Sequence, residues 1–374
     1  MWRSLYMARN ESPSIKGKRS SRDSRIEALR IVCCLCVIAL HCKPNSVVNG
    51  IPIFFRYLFS NLIADPVSIF LLITGFFFVN NDSYMDSVKK NLKRIFLPLL
   101  FYTVILIIYS GGLSSLASFK KSLQSLFGCL INWTPNIHNT GHLWYLYVHL
   151  LIVLISPLIK YLLVKIRSNR YIELLAIVFI LALFWINDLH SNNMFRCTQT
   201  PVSSLLPASL LVILGNIVYD IVKKSVSCKR YLWLFIFLYI GLNLYRADLL
   251  TRGNIQMSDA TFSFMGVVCA LSVAFFVLSL PSIEGRFANI INWVSSFTLD
   301  IYIWHVIAME MTTFTGLKTW FVSLITDGSE TNSVYLRYTI LYSLLVMVIC
   351  IIWSLLLKLV KHLIYKFASH LTSH

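Results

Sequence analysis

Arg30-Ile31-Val32-Cys33-Cys34-Leu35-Cys36-Val37-Ile38-Ala39-Leu40-His41 is the stretch on which the fold class turns. Apolar and thiol side chains fill it between a guanidinium and an imidazole, the pattern of a helix inside a membrane. Arg30 and His41 are eleven positions apart. That makes about three helical turns, so both leave one face, about 16 Å apart along the axis. A cation and an imidazole on the inner face of such a helix are costly and usually mark chemistry or an ion path. The pair points to an enzyme. The stretch ahead of it, Arg19-Ser-Ser-Arg22-Asp-Ser-Arg25, is strongly basic, as the cytoplasmic flank of a first span should be.

Composition agrees with this reading. Of 374 residues, 57% are hydrophobic and only 13% charged, against about a quarter charged in a soluble chain. The formal charge of +17 would suggest nucleic acid in a soluble protein. Here the positive-inside rule accounts for it, so the expected partner is the lipid bilayer and not nucleic acid. Apolar runs of spanning length occur near 26–43, 58–79, 95–112, 143–163, 171–189, 202–222, 231–249, 261–280, 296–316 and 335–357. With the N-terminus inside, 23 of the 33 Lys and Arg fall in inner segments and nine, Arg246 among them, in outer ones. The expected fold is therefore all-α: a polytopic bundle of about ten transmembrane helices with both termini cytoplasmic. Residues 1–25 read as a basic, disordered arm, 26–366 as one membrane domain and 367–374 as a short cytoplasmic tail. No cleavable signal peptide, sequence repeat, soluble catalytic domain or Gly-rich phosphate loop is expected.

Cysteines suggest no framework and no metal site. Cys33, Cys34, Cys36 and Cys42 lie in the first apolar segment, where a thiol acts as a small apolar side chain. A disulfide between Cys129 and Cys197, both in predicted outer loops, is left open. Leu116–Leu126 reads as an amphipathic helix on the outer surface, over a cavity mouth or merely packing its loop.

His41, just before Lys43-Pro44, suits a general base, a proton relay or a satisfied core side chain. Arg30 suits bidentate phosphate binding or interfacial snorkelling. Glu27, one turn earlier, can pair with it. The cluster Lys89-Lys90-Asn-Leu-Lys93-Arg94-Ile-Phe-Leu-Pro98 fits a multiply charged phosphate ligand or plain topogenic charge. Asp65 can orient an imidazole or sit in an outer aqueous cavity, and Gly75 permits close helix approach. His142, Trp144 and Tyr145 open the fourth span as aromatic-belt residues or as a sugar platform. His149 lies two turns deeper. Asp300, Tyr302, Trp304, His305 and Glu310 add polarity at mid-depth in the ninth span. Polar groups spread over spans one, two, four and nine predict a polar cavity within the bundle.

Taken in order, these segments resemble the integral-membrane acyltransferase family 3, the O-acyltransferases of bacterial envelopes. Its first span reads Leu-Asp-x-Leu-Arg, then ten residues, then His; here Ile26-Glu27-Ala28-Leu29-Arg30 precedes His41 at that spacing, with Glu27 for Asp. Phe70-Leu71-Leu72-Ile73-Thr74-Gly75-Phe76 is similar to its Phe-Phe-x-x-Ser-Gly-Phe segment. Lys90-x-x-Lys93 beside Arg94, before Pro98, stands where the family has Arg-x-x-Arg. His142-Leu143-Trp144-Tyr145-Leu146 and Tyr302-Ile303-Trp304-His305 match two further segments. The resemblance implies cytoplasmic acyl-CoA, most simply acetyl-CoA, as co-substrate, with no permanently bound cofactor. It implies a carbohydrate or lipid-linked oligosaccharide acceptor beyond the bacterial inner membrane. His41 would be catalytic with Arg30, and Arg30, Lys90, Lys93 and Arg94 would hold the donor. Asp65, His142, Trp144, Tyr302 and His305 would meet the acceptor. Donor and acceptor are then expected to meet in one channel-like site joining Arg30 to His41. The rivals are a transporter or flippase for a lipid-linked sugar, whose paired broken helices are not seen, and a glycan polymerase, whose long charged outer loop is not seen. Oligomeric state is not legible.

Overall fold

The computed structural model describes residues 22–42, 53–78, 83–109, 115, 117–121, 123–124, 141–189, 201–224, 231–253, 262–325 and 332–371. Among them every regular element is helical and there is no strand. In chain order the helices are α1 (Ser24–Cys42), α2 (Ile53–Leu62), α3 (Pro66–Phe76), α4 (Tyr84–Asn91), α5 (Leu97–Tyr109), α6 (Trp144–Leu154), α7 (Ser156–Ile166) and α8 (Arg170–Leu189). They continue with α9 (Pro201–Lys224), α10 (Leu232–Thr251), α11 (Phe264–Ser279), α12 (Gly285–Ser295), α13 (Thr298–Phe314), α14 (Leu317–Ile325) and α15 (Asn332–Leu371). The arm before residue 22 and both Cys129 and Cys197 lie outside the described residues, as does part of the Leu116–Leu126 segment, of which 117–121 and 123–124 are helical. α15 runs on to Leu371, past the expected domain limit at 366.

Over the described residues each of the ten apolar runs is mainly helical, but several are broken at places the residues explain. Pro66 opens α3 because its missing N–H is no loss at a helix start, so the run 58–79 is α2 and α3 in tandem around Asp65. α6 and α7 bend by 68° before Pro157, and α12 and α13 by 54°. Five helices or tandems are long and apolar enough to cross a membrane, or up to seven when each bent pair forms one span. α1 carries Arg25, Glu27 and Arg30 in its first turns, while α5 and α11 have 13 and 16 residues. Outward faces are apolar: Val178 and Phe179 of α8 and Trp233 and Phe237 of α10 are exposed, the arrangement required by a lipid solvent. The chain is a multi-pass helical membrane protein.

The closest helix pair in the core is α3 with α9. A Cβ on Gly75 would fall on the Val212 carbonyl oxygen, and one on Gly215 on the Leu72 carbonyl oxygen. The amide of Asn216 donates to the Gly75 carbonyl at 2.8 Å. Small residues let backbones approach so that dispersion and a buried hydrogen bond act together. Gly75→Leu or Gly215→Leu drives these helices apart. Either variant should lose its monodisperse peak in detergent size-exclusion chromatography; wild-type behaviour in both would show the contact to be dispensable.

Candidate active site

α1 supplies both ends of the site. Near its N-terminus, buried Glu27 takes the Arg30 guanidinium at 2.8 Å and accepts a hydrogen bond from the Ser295 hydroxyl of α12 on its other oxygen. The Arg30 guanidinium also lies 5.7 Å from the centre of the Phe77 ring. Arg30 is therefore oriented rather than free to snorkel. It lines a cavity of about 270 Å³ with Arg22, Arg94, Asn91, Tyr145, His149 and Tyr302. Three guanidiniums against one carboxylate give this cavity the chemistry that suits an anion. Arg94 enters it from the wide π-turn Leu92–Phe96 that leads into α5. Pro98 has no N–H to offer the Arg94 carbonyl, which favours such a widened turn there. Lys90 and Lys93 are exposed and do not line the cavity.

At the other end of α1, exposed His41 meets two buried imidazoles. Its ring centre lies 5.2 Å from that of His305 and 6.3 Å from that of His142, and those two are 4.8 Å apart. His142 comes from the short 3-10 turn Gly141–Leu143 ahead of α6, and His305 from the middle of α13. His305 Nδ1 donates to the Tyr302 carbonyl at 2.8 Å. This leaves the buried Nε2 as the acceptor nitrogen of the neutral ring, with no hydrogen-bond partner. Tyr102 of α5 stands edge-on to His142 at 6.1 Å and to Trp304 at 5.1 Å.

The cavity at Arg30 is not lined by His41, His142 or His305, so it is not by itself the expected channel from Arg30 to His41. The α1 face between them carries Cys34 and Val37, both buried, and the Cys34 thiol reaches the Thr298 carbonyl at 3.5 Å. Tyr302 stands between the two, lining the Arg30 cavity on one side and packing 6.0 Å from the His305 ring on the other. The reason is geometric: one turn of α13 separates Tyr302 from His305, so one helix face supplies both the cavity wall and the imidazole.

Asp65 takes no part in this cluster through any contact it shows. It is paired with Arg246 of α10 at 2.7 Å, the two side chains being 6% and 1% exposed. Arg246, assigned from charge counting to an outer segment, is thus a buried bundle residue. The clue was present: an arginine inside the apolar run 231–249 needs a carboxylate in another span. Trp144 packs edge-on against Phe262 at 6.1 Å, and Asp300 accepts from Ser354 of α15. Tyr102 and Ser295 were passed over in the sequence. Arg94, Pro98 and Tyr102 are four apart, one helix face, which could have singled out Tyr102.

An apolar helical bundle that gathers three imidazoles one residue away from a cationic cavity has the parts of a membrane-embedded group-transfer enzyme. The chain belongs to acyltransferase family 3: the family model described as "Acyltransferase domain" matches residues 23–359. It is a membrane acyltransferase. No curated protein matches the chain, and no solved structure matches it.

Proposed function

We propose that the protein moves an acyl group, acetyl in the simplest case, from cytoplasmic acyl-CoA to a hydroxyl of a lipid-linked or extracytoplasmic surface glycan at the bacterial inner membrane. The proposal includes about ten spans with both termini cytoplasmic. The observation that carries it is the grouping of His41, His142 and His305 beside a cavity holding Arg22, Arg30 and Arg94. The guanidiniums suit the phosphates of the donor, with Lys90 and Lys93 available only for the outer approach of a polyanion. Passing only the acyl group inward leaves those phosphates out of the hydrocarbon, where an unpaired charge is very costly.

In the direct route, a sugar hydroxyl gives its proton to neutral His41 as its oxygen attacks the thioester carbonyl carbon. The C–S bond then breaks, and the CoA thiolate takes up a proton. In the covalent route, His41 nitrogen attacks first and releases CoA, and the sugar oxygen then displaces the imidazole. Trapping of labelled acyl-His41 without acceptor separates the two. The reading itself is tested on cell-surface polysaccharide by mass spectrometry with and without the gene. One acyl unit per repeat should vanish when the gene is removed; an unchanged mass in every glycan fraction counts against a glycan acceptor.

Donor recognition has its own test. Arg30→Ala and Arg94→Ala should each raise KM for acetyl-CoA about tenfold or more, the loss of a charge-assisted phosphate contact. Lys93→Ala should change it less than twofold, because its side chain stands outside the cavity. Equal effects at all three positions would argue for general surface charge.

A further inference from the structure

We propose that Tyr302 is the partition between the donor cavity and the imidazole cluster, a positioning residue that keeps water from the thioester until an acceptor is in place. The inference rests on the acyl-transfer reading above and adds to it the means by which transfer is kept coupled.

Tyr302 is 5% exposed and borders both halves of the site. On the donor side its ring meets Tyr145 of α6 at 5.7 Å and Phe70 of α3 at 6.5 Å. Tyr145 and Phe70 are themselves 5.9 Å apart, so three rings from three helices form one layer. All three line the cavity that holds Arg30 and Arg94. On the far side the Tyr302 ring lies 6.1 Å from His142 and 6.0 Å from His305. Its hydroxyl donates to the His142 carbonyl at 2.5 Å, and its own carbonyl accepts from His305 Nδ1 at 2.8 Å. Tyr302 is thus held by the turn carrying one imidazole while it fixes the ring orientation of the other. The α1 face beside it is closely packed, with Cys34 and Val37 buried, so the route we assign to a thioester from Arg30 to the imidazoles runs through the position of this side chain.

The latch includes a neutral hydrogen bond, of a kind that can open when the donor and acceptor fill the two sides. Closed, it prevents a definite side reaction. Water would attack the thioester carbonyl carbon, a C–O bond would form, and the C–S bond would break. CoA would leave as the thiol, and the acyl group as the free carboxylic acid. Excluding water from an activated group is a general requirement of transferases.

The test uses the full-length protein in lipid nanodiscs with labelled acetyl-CoA, with and without surface polysaccharide extracted from cells lacking the gene. Thiol release and acetyl incorporation are measured together. Wild type should release little CoA without polysaccharide and about one CoA per acetyl transferred with it. Tyr302→Ala should raise release without polysaccharide at least tenfold and lower the acetyl transferred per CoA released. Tyr302→Phe, which keeps the ring and loses the latch, should leak less than Tyr302→Ala but more than wild type. Tyr145→Ala thins the same layer from α6 and should leak as well, a check that stands if Tyr302→Ala fails to fold. Variants that release no more CoA than wild type without polysaccharide, or in which release and transfer fall in parallel, overturn the partition alone. A wild type that releases no CoA even with polysaccharide overturns the acyl-transfer reading and the partition with it.

Discussion

His41→Ala should lower acyl transfer by about 100-fold to 10,000-fold, the range supplied by a positioned general base, while leaving the protein folded. His41 is exposed at the last turn of α1, so truncating it removes little core packing. His142 and His305 are buried around it, so an acceptor approaching from the surface meets the exposed His41 imidazole before either of them. The check is transfer of labelled acetyl groups in membranes containing matched amounts of wild type and variant. Retained wild-type activity would remove the imidazole cluster from the chemistry. His305→Ala should act differently, disturbing both the cluster and the Tyr302 carbonyl that it satisfies.

The largest expected effect on stability comes from a pair outside the site. Arg246→Ala should destabilise the protein by about 3–5 kcal/mol, the usual consequence of leaving one charge of a buried pair uncompensated. Asp65 has few alternatives: its Oδ1 has no hydrogen-bond partner, and Gly266 is small where a Cβ would stand 2.7 Å from that oxygen. Asp65→Leu combined with Arg246→Met removes both charges and should recover most of the loss, since the desolvation of both ions is then avoided. Thermal unfolding in detergent, followed by tryptophan fluorescence, measures all three proteins. A double variant no more stable than Arg246→Ala would mean that the pair's hydrogen bonds, and not its charge balance, hold α3 to α10.

Much of the molecule could be read before any coordinates. Over the described residues every apolar run is mainly helical, because continuous apolar sequence leaves the backbone no partner but itself. The Glu27–Arg30 pair follows from i,i+3 spacing on α1, and the role of Gly75 from its small size in a helix otherwise built of bulky side chains. Breaks were harder to see. Asp65-Pro66 and Ser156-Pro157 are visible as dipeptides, yet whether a proline bends a span or ends one helix depends on what packs beside it. Charge counting misplaced Arg246 because it assumes that cations in apolar runs lie at the ends.

From the order of residues alone came the helical class, the membrane as solvent, and the three-turn separation of guanidinium and imidazole along α1, all consequences of local periodicity and of the expense of burying charge. Tertiary structure alone brought His142 and His305 around His41, placed Arg94 and not Lys90 or Lys93 in the wall of the Arg30 cavity, gave Asp65 to Arg246, and set Tyr302 between that cavity and the imidazoles. Those choices depend on the angles at which distant helices cross, and these are decided by side-chain packing between segments far apart in the chain.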